Sequence, residues 1–154
     1  MMGHTHLAFG LLAGLLALPF AEPRNAVLFV LLAALASLFP DIDHESSTIN
    51  RLLPVTRWFA KLFTHRGFFH SVWPALLLYG LFWYLALPDA GLALALGYLS
   101  HLLSDSVTKM GVNLLHPVAT LRVQGFITTG GVLELAVLAF ILLAVAWKVW
   151  RMVG

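Results

Sequence analysis

Five strongly apolar stretches run along this chain, at roughly 5–21, 25–39, 71–87, 90–107 and 131–150. No other feature constrains the fold as much. Backbone N–H and C=O groups in hydrocarbon must be satisfied within the segment itself, so stretches of this kind become helices. Composition supports a membrane setting. Of the 154 residues, 60% are hydrophobic and 10% are charged, whereas a soluble domain is about half apolar and about a quarter charged. So few charges cannot clothe a soluble domain of this size. The expected fold is all-α: a polytopic membrane helical bundle of about five apolar helices, with residues 1–154 as a single domain. Membrane lipid is the expected partner. The net charge of +2 is small and scattered, so no nucleic acid is predicted. Without cysteine there is no disulfide framework and no thiolate site.

Several stretches are short for a bilayer core of about 30 Å, which takes about 20 helical residues. That favours a compact bundle with partly immersed loops over five independent anchors. Ala21-Glu22-Pro23-Arg24 and Pro88-Asp89-Ala90-Gly91 read as tight turns between antiparallel helices, proline supplying the stop. Two longer segments, 40–70 and 108–130, face the other way. Within the first, Val55 to Phe63 fits a short amphipathic interfacial helix, with Arg57 and Lys61 at i, i+4. The first stretch lacks the basic lead of a signal peptide, and cleavage there would discard His4 and His6. The face with the long segments carries Arg51, Arg57, Lys61, Arg66, Lys109 and Arg122, against Arg24, Lys148 and Arg151 opposite. That bias points the long segments to the cytoplasm.

Threading the stretches up and down puts His4, His6, His44, His65, His70 and His116 on this same face, with His101 about two turns inside it. Asp41, Asp43, Asp105 and Glu134 gather there too. Ionisable groups near hydrocarbon are costly and tend to mark function. His101 and Asp105 stand at i, i+4, on one helix face, where they form either a metal-ligand pair or a buried hydrogen-bonded pair. Asp41 and Asp43 follow Pro40 and either point into one site or serve as ordinary turn residues. His65-Arg66-Gly67-Phe68-Phe69-His70 leads to Ser71, a candidate N-cap. Arg66 there either clamps a phosphate or belongs to a basic aromatic loop. Glu134 is either a late ligand or a first-turn carboxylate favoured by the helix dipole. Nitrogen and oxygen ligands without sulfur suit Zn²⁺, with Mn²⁺ or Fe²⁺ as alternatives. One or two ions are expected, since the three aspartates can be shared. Such a site activates water near neutral pH and clamps a phosphoryl oxygen.

In order and spacing, the motifs resemble the YdjM-like family of inner-membrane metal-dependent hydrolases. The matching pieces are Thr5-His6 with Gly10, Phe39-Pro40-Asp41-Ile42-Asp43, and His65-Arg66-Gly67 with His70-Ser71. His101, Asp105, Thr108, Gly111 and Pro117 follow, then Thr129-Gly130 with Glu134. The resemblance implies a small helical protein of the inner (cytoplasmic) membrane that hydrolyses through bound metal. Family naming also implies a link to the LexA repressor, which no residue here carries. More distantly, the pattern is similar to zinc-dependent phospholipase C and P1-type nucleases. By that likeness His6, Asp41, His65 or His70, and His101 with Asp105 are the metal ligands. The later His-x3-Glu pair of those enzymes is missing, because Gly130 stands four residues before Glu134.

The function expected from the sequence is metal-dependent hydrolysis of a phosphate ester, such as a phospholipid or lipid-linked phosphate, at the cytoplasmic face of a multi-pass protein. His6, Asp41, His65, His70, His101 and Asp105 are the expected ligands. Asp43, Arg66 and Glu134 are the expected catalytic groups, with Lys109 as a further neutralising charge. The alternative is a non-catalytic metal-binding scaffold or sensor. A transporter would need polar residues continuing to the opposite face, where these stretches are almost purely apolar.

Overall fold

The computed structural model describes residues 1–43 and 67–154. All five apolar stretches become α-helices. They are α1 (Gly3–Ala21), α2 (Ala26–Ala36), α3 (Trp73–Tyr84), α4 (Pro88–Ser106) and α5 (Val132–Val153). Two 3-10 turns, Phe39–Asp43 and Phe68–His70, follow α2 and precede α3. The predicted interfacial helix at Val55–Phe63 lies outside the described residues.

α4 is the hub, packing against α1, α2 and α3, while α1 also packs against α2 and α5. Close approach at the centre depends on glycine. A Cβ on Gly97 would sit 2.0 Å from the Ala33 carbonyl oxygen, and one on Gly10 would sit 2.7 Å from the same atom. Small residues let helix backbones approach closely where the lipid offers no hydrophobic drive of its own. Leu15, Phe29, Val30, Ala33 and Ala93 fill the core around that contact.

Outside the core, leucines and aromatics are exposed along the helices, among them Leu16, Leu31, Leu77, Leu81, Leu103 and Leu143. An apolar surface this extensive needs lipid rather than water. Two described helices, α1 and α5, are long and apolar enough to cross a membrane by themselves. α2 has 11 residues, about 16 Å of helix at 1.5 Å per residue, well short of the bilayer core. Five apolar helices are therefore present, but among the described ones only α1 and α5 combine spanning length with sufficient hydropathy.

Two local expectations need correction. Pro88-Asp89-Ala90-Gly91 is the first turn of α4 rather than the break before it. Proline suits that position because the missing N–H would have no helical partner there. Ser71 does not cap α3; its hydroxyl donates to the Phe68 carbonyl at 2.6 Å and closes the 3-10 turn. Val112–Asn113 (β1) and Arg122–Val123 (β2) pair antiparallel, a ribbon too short for sequence periodicity to reveal.

Candidate metal centre

α1 and α3 begin, and α2 and α4 end, at one mouth of the bundle. An up-and-down bundle brings alternate helix ends together, so residues remote in sequence become neighbours. His6 comes from the first turns of α1, Asp41 from the 3-10 turn after α2, His70 from the turn before α3, and His101 and Asp105 from the last turns of α4. Potential ligand atoms of His6, Asp41 and His101 all lie within 4.8 Å of one another, as do those of His70, His101 and Asp105. The two groups share His101. Asp41 Oδ1 is 3.6 Å from His70 Nε2 and 3.7 Å from His101 Nε2. Asp105 reaches His6 Nε2 at 3.5 Å through Oδ1, and His70 and His101 at 3.9 Å through Oδ2. The rings of His6 and His101 stack with centroids 3.7 Å apart, and His70 meets His101 edge-on at 5.3 Å.

Hydrogen bonding fixes how these rings face. His101 Nδ1 lies 2.7 Å from the Ser37 carbonyl oxygen, which can only accept. The proton therefore sits on Nδ1, and Nε2 carries the lone pair. That Nε2 is fully buried without a hydrogen-bond partner among the described residues, and it lies 3.7 Å from Asp41 Oδ1 and 3.9 Å from Asp105 Oδ2. The Ser104 hydroxyl donates to the His101 carbonyl at 2.8 Å and lies 2.7 Å from His6 Nδ1. His6 Nδ1 thus faces the Ser104 hydroxyl, and its Nε2 turns inward toward a carbonyl that can only accept, so the two contacts compete for the single proton of a neutral ring. That carbonyl oxygen belongs to Met1 and lies 3.1 Å from Nε2. The Met1 amine rests against Asp105 Oδ1. Metal-ligating histidines are usually held this way, with the outer ring nitrogen donating to a backbone or side-chain acceptor.

Burial alone would push the Asp41 carboxyl up. The neighbouring rings of His70, His101 and His6 outweigh it and hold the group well below the usual carboxylate range. Asp41 thus stays a carboxylate, able to ligate a cation. The donor set of three imidazoles and two carboxylates fits a divalent metal. An inward lone pair with no proton to receive is what a cation would satisfy.

Other predicted site residues stand elsewhere. Glu134 is fully buried, but both its oxygens take backbone N–H groups, from Met2 at 2.6 Å and Gly130 at 2.7 Å. It ties the start of α1 to the start of α5 and belongs to neither ligand group. His65 and Arg66 lie outside the described residues, as does the side chain of Asp43, whose backbone closes the 3-10 turn. His4 is exposed, His116 is half-buried, and Lys109 is exposed at the end of α4. The sequence reading missed the Ser37 carbonyl and gave Ser104 no role of its own. A serine one position before the aspartate of the His-x3-Asp motif was the available signal for the latter.

No solved structure is significantly similar to this chain. Inner membrane protein YdjM of Escherichia coli is 43% identical over 93 residues, covering 55% of this chain and 47% of that protein. The chain thus matches about half the length of that relative. The uncharacterized protein YvsG of Bacillus subtilis is 34% identical over 149 residues, covering 94% and 91% of the two chains. The family model for YdjM inner membrane protein matches residues 1–153. With its bundle of apolar helices and a match along nearly its whole length, this chain is a membrane protein of the YdjM family.

Proposed function

We propose that this protein is a multi-pass membrane metal-dependent hydrolase acting on a phosphate ester, with its centre facing the cytoplasm. The observation that carries the reading is the convergence of His6, Asp41, His70, His101 and Asp105 from four helix ends, with the His101 Nε2 lone pair aimed among them. Zinc is the favoured ion, bound by nitrogen and oxygen ligands. When bound, such an ion supplies a more acidic water and a charge for a phosphoryl oxygen. The chain's own residues do the rest. Ser104 and the Ser37 carbonyl orient the rings. Asp41 is 20% exposed and forms the open edge from which substrate would enter. Arg66 acts as an anion clamp, since guanidinium stays charged. Glu134 holds the N-terminal turn that presents His6.

A second reading rests on enclosure. His6, His70, His101 and Asp105 are each no more than 1% exposed, and closed sites are characteristic of structural metals. Under that reading the protein is a metal-stabilised membrane scaffold. Elemental analysis of detergent-purified protein, followed by phosphomonoesterase and phosphodiesterase assays with water-soluble and lipid substrates, separates the two. Hydrolysis lost on chelation and restored by one metal supports the enzyme. Stoichiometric metal without hydrolysis of any phosphate ester favours the scaffold.

A further inference from the structure

We infer that the segment between α4 and α5, residues 107–131, lies in the membrane interface and docks on an anionic lipid surface. Backbone hydrogen bonds tie it to the end of α4: Gly125 N–H to the Thr108 carbonyl at 2.9 Å, Ile127 N–H to Val107 at 3.0 Å, and Lys109 N–H to Ile127 at 2.9 Å. Residues next to each other in extended chain point to opposite sides. Ile127 accordingly turns inward at 6% exposure, and Phe126 turns outward at 72%. Val118 is 76% exposed, and Met110, Leu121 and Val123 are exposed beside them. Five large apolar side chains outside any hydrophobic helix need an apolar covering.

Two features identify that covering as lipid. The first is continuity. Leu99, Leu103 and Val107 form an exposed i, i+4, i+8 stripe on the outer face of α4 and its cap, and the exposed Met110 follows in the chain. Beyond the segment, Val132, Leu133 and Leu135 form the exposed start of α5, a helix long enough to span. Exposed apolar side chains thus stand on both helices and on the segment between them, with Thr128, Thr129 and Gly130 as an exposed polar step before α5. The second is charge. From Ser106 to Leu133 there is no Asp or Glu, while Lys109 and Arg122 are both present and exposed. Arg122 curls back to donate to the Met110 carbonyl at 3.0 Å, which keeps its cation at the edge of the apolar patch. Basic residues beside exposed apolar ones favour an interface carrying anionic headgroups.

The absence of cysteine gives a clean test. A nitroxide is attached to single cysteines, Phe126→Cys, Val118→Cys and, as a hydrocarbon reference, Leu143→Cys. The full chain is held in nanodiscs of zwitterionic lipid with or without anionic lipid. Collision rates with oxygen and with a water-soluble nickel chelate report label depth. At Phe126 and Val118 oxygen should outweigh the chelate several-fold, approaching Leu143, and the Phe126 label should move toward water when anionic lipid is omitted. Chelate access like that of free label in water at both sites, with Leu143 protected, would overturn the inference. So would low access to both reagents, the signature of burial in protein. Equal depth with and without anionic lipid would overturn the anionic assignment. The measurement needs neither metal nor turnover, so its outcome is independent of the hydrolase reading.

Discussion

At the residue scale, orientation of the imidazoles matters as much as their identity. Asp105→Asn should lower bound metal in elemental analysis and, if the protein is a hydrolase, abolish turnover; a variant with full metal content would remove Asp105 from the ligand set. Ser104→Ala leaves every candidate ligand in place but deletes the hydroxyl that lies 2.7 Å from His6 Nδ1. Loss of such a supporting bond typically weakens metal binding about 10–100-fold, and Ser104→Thr should retain most of the affinity because the hydroxyl remains. Isothermal titration with Zn²⁺ or Co²⁺ reads both. The His101–Asp105 pair was legible in the sequence because helical periodicity alone puts i and i+4 together. His6, Asp41 and His70 were legible as types at helix ends, and the threading of the bundle brought them to one mouth. The Ser37 carbonyl was not, because every residue carries a carbonyl and only tertiary packing chooses one.

At the element scale, the helix-helix contact around Ala33 sets the geometry of the site. Gly97→Val should force α2 and α4 apart, since even a Cβ overlaps the Ala33 carbonyl; overpacking of this kind costs about 1–3 kcal/mol. Gly80 in α3 has open space around it, and Gly80→Ala should stabilise by about 0.5–1 kcal/mol by removing backbone freedom. Thermal unfolding in one detergent should move in opposite directions for the two. The Asp41 turn makes a further prediction. Its carboxyl is held ionised below the unfolded value, so its contribution is complete above about pH 4 and lost only as pH falls through the lower folded value. Acid release of metal should therefore follow protonation of the imidazoles rather than of Asp41, in a dialysis series from about pH 8 down to about pH 3. Helix positions were legible from apolar runs, but their ends were not. Pro88 reads equally as a stop or as an N1 residue, and only the fold decides. The short β-ribbon had no periodicity to read.

At the scale of the whole molecule, the described bundle gathers its buried imidazoles and carboxylates at one mouth. If the mouth faces the cytoplasm, a cysteine at Ser47 or at the exposed Thr120 should resist an impermeant thiol reagent in intact cells, while one at the C-terminus reacts. Labelling of the first two from outside would reverse the orientation and leave the clustering intact. The bond from His101 to the Ser37 carbonyl joins a candidate ligand on α4 to the C-cap of α2. Affinity and fold stability then become two readings of one coupled equilibrium. Each tenfold rise in free ion above its dissociation constant should add about 1.4 kcal/mol to the unfolding free energy. By the same reciprocity, Gly97→Val should shed its ion more readily than the parent chain although it touches no ligand, because a loosened bundle can no longer hold the carbonyl that aims the ring.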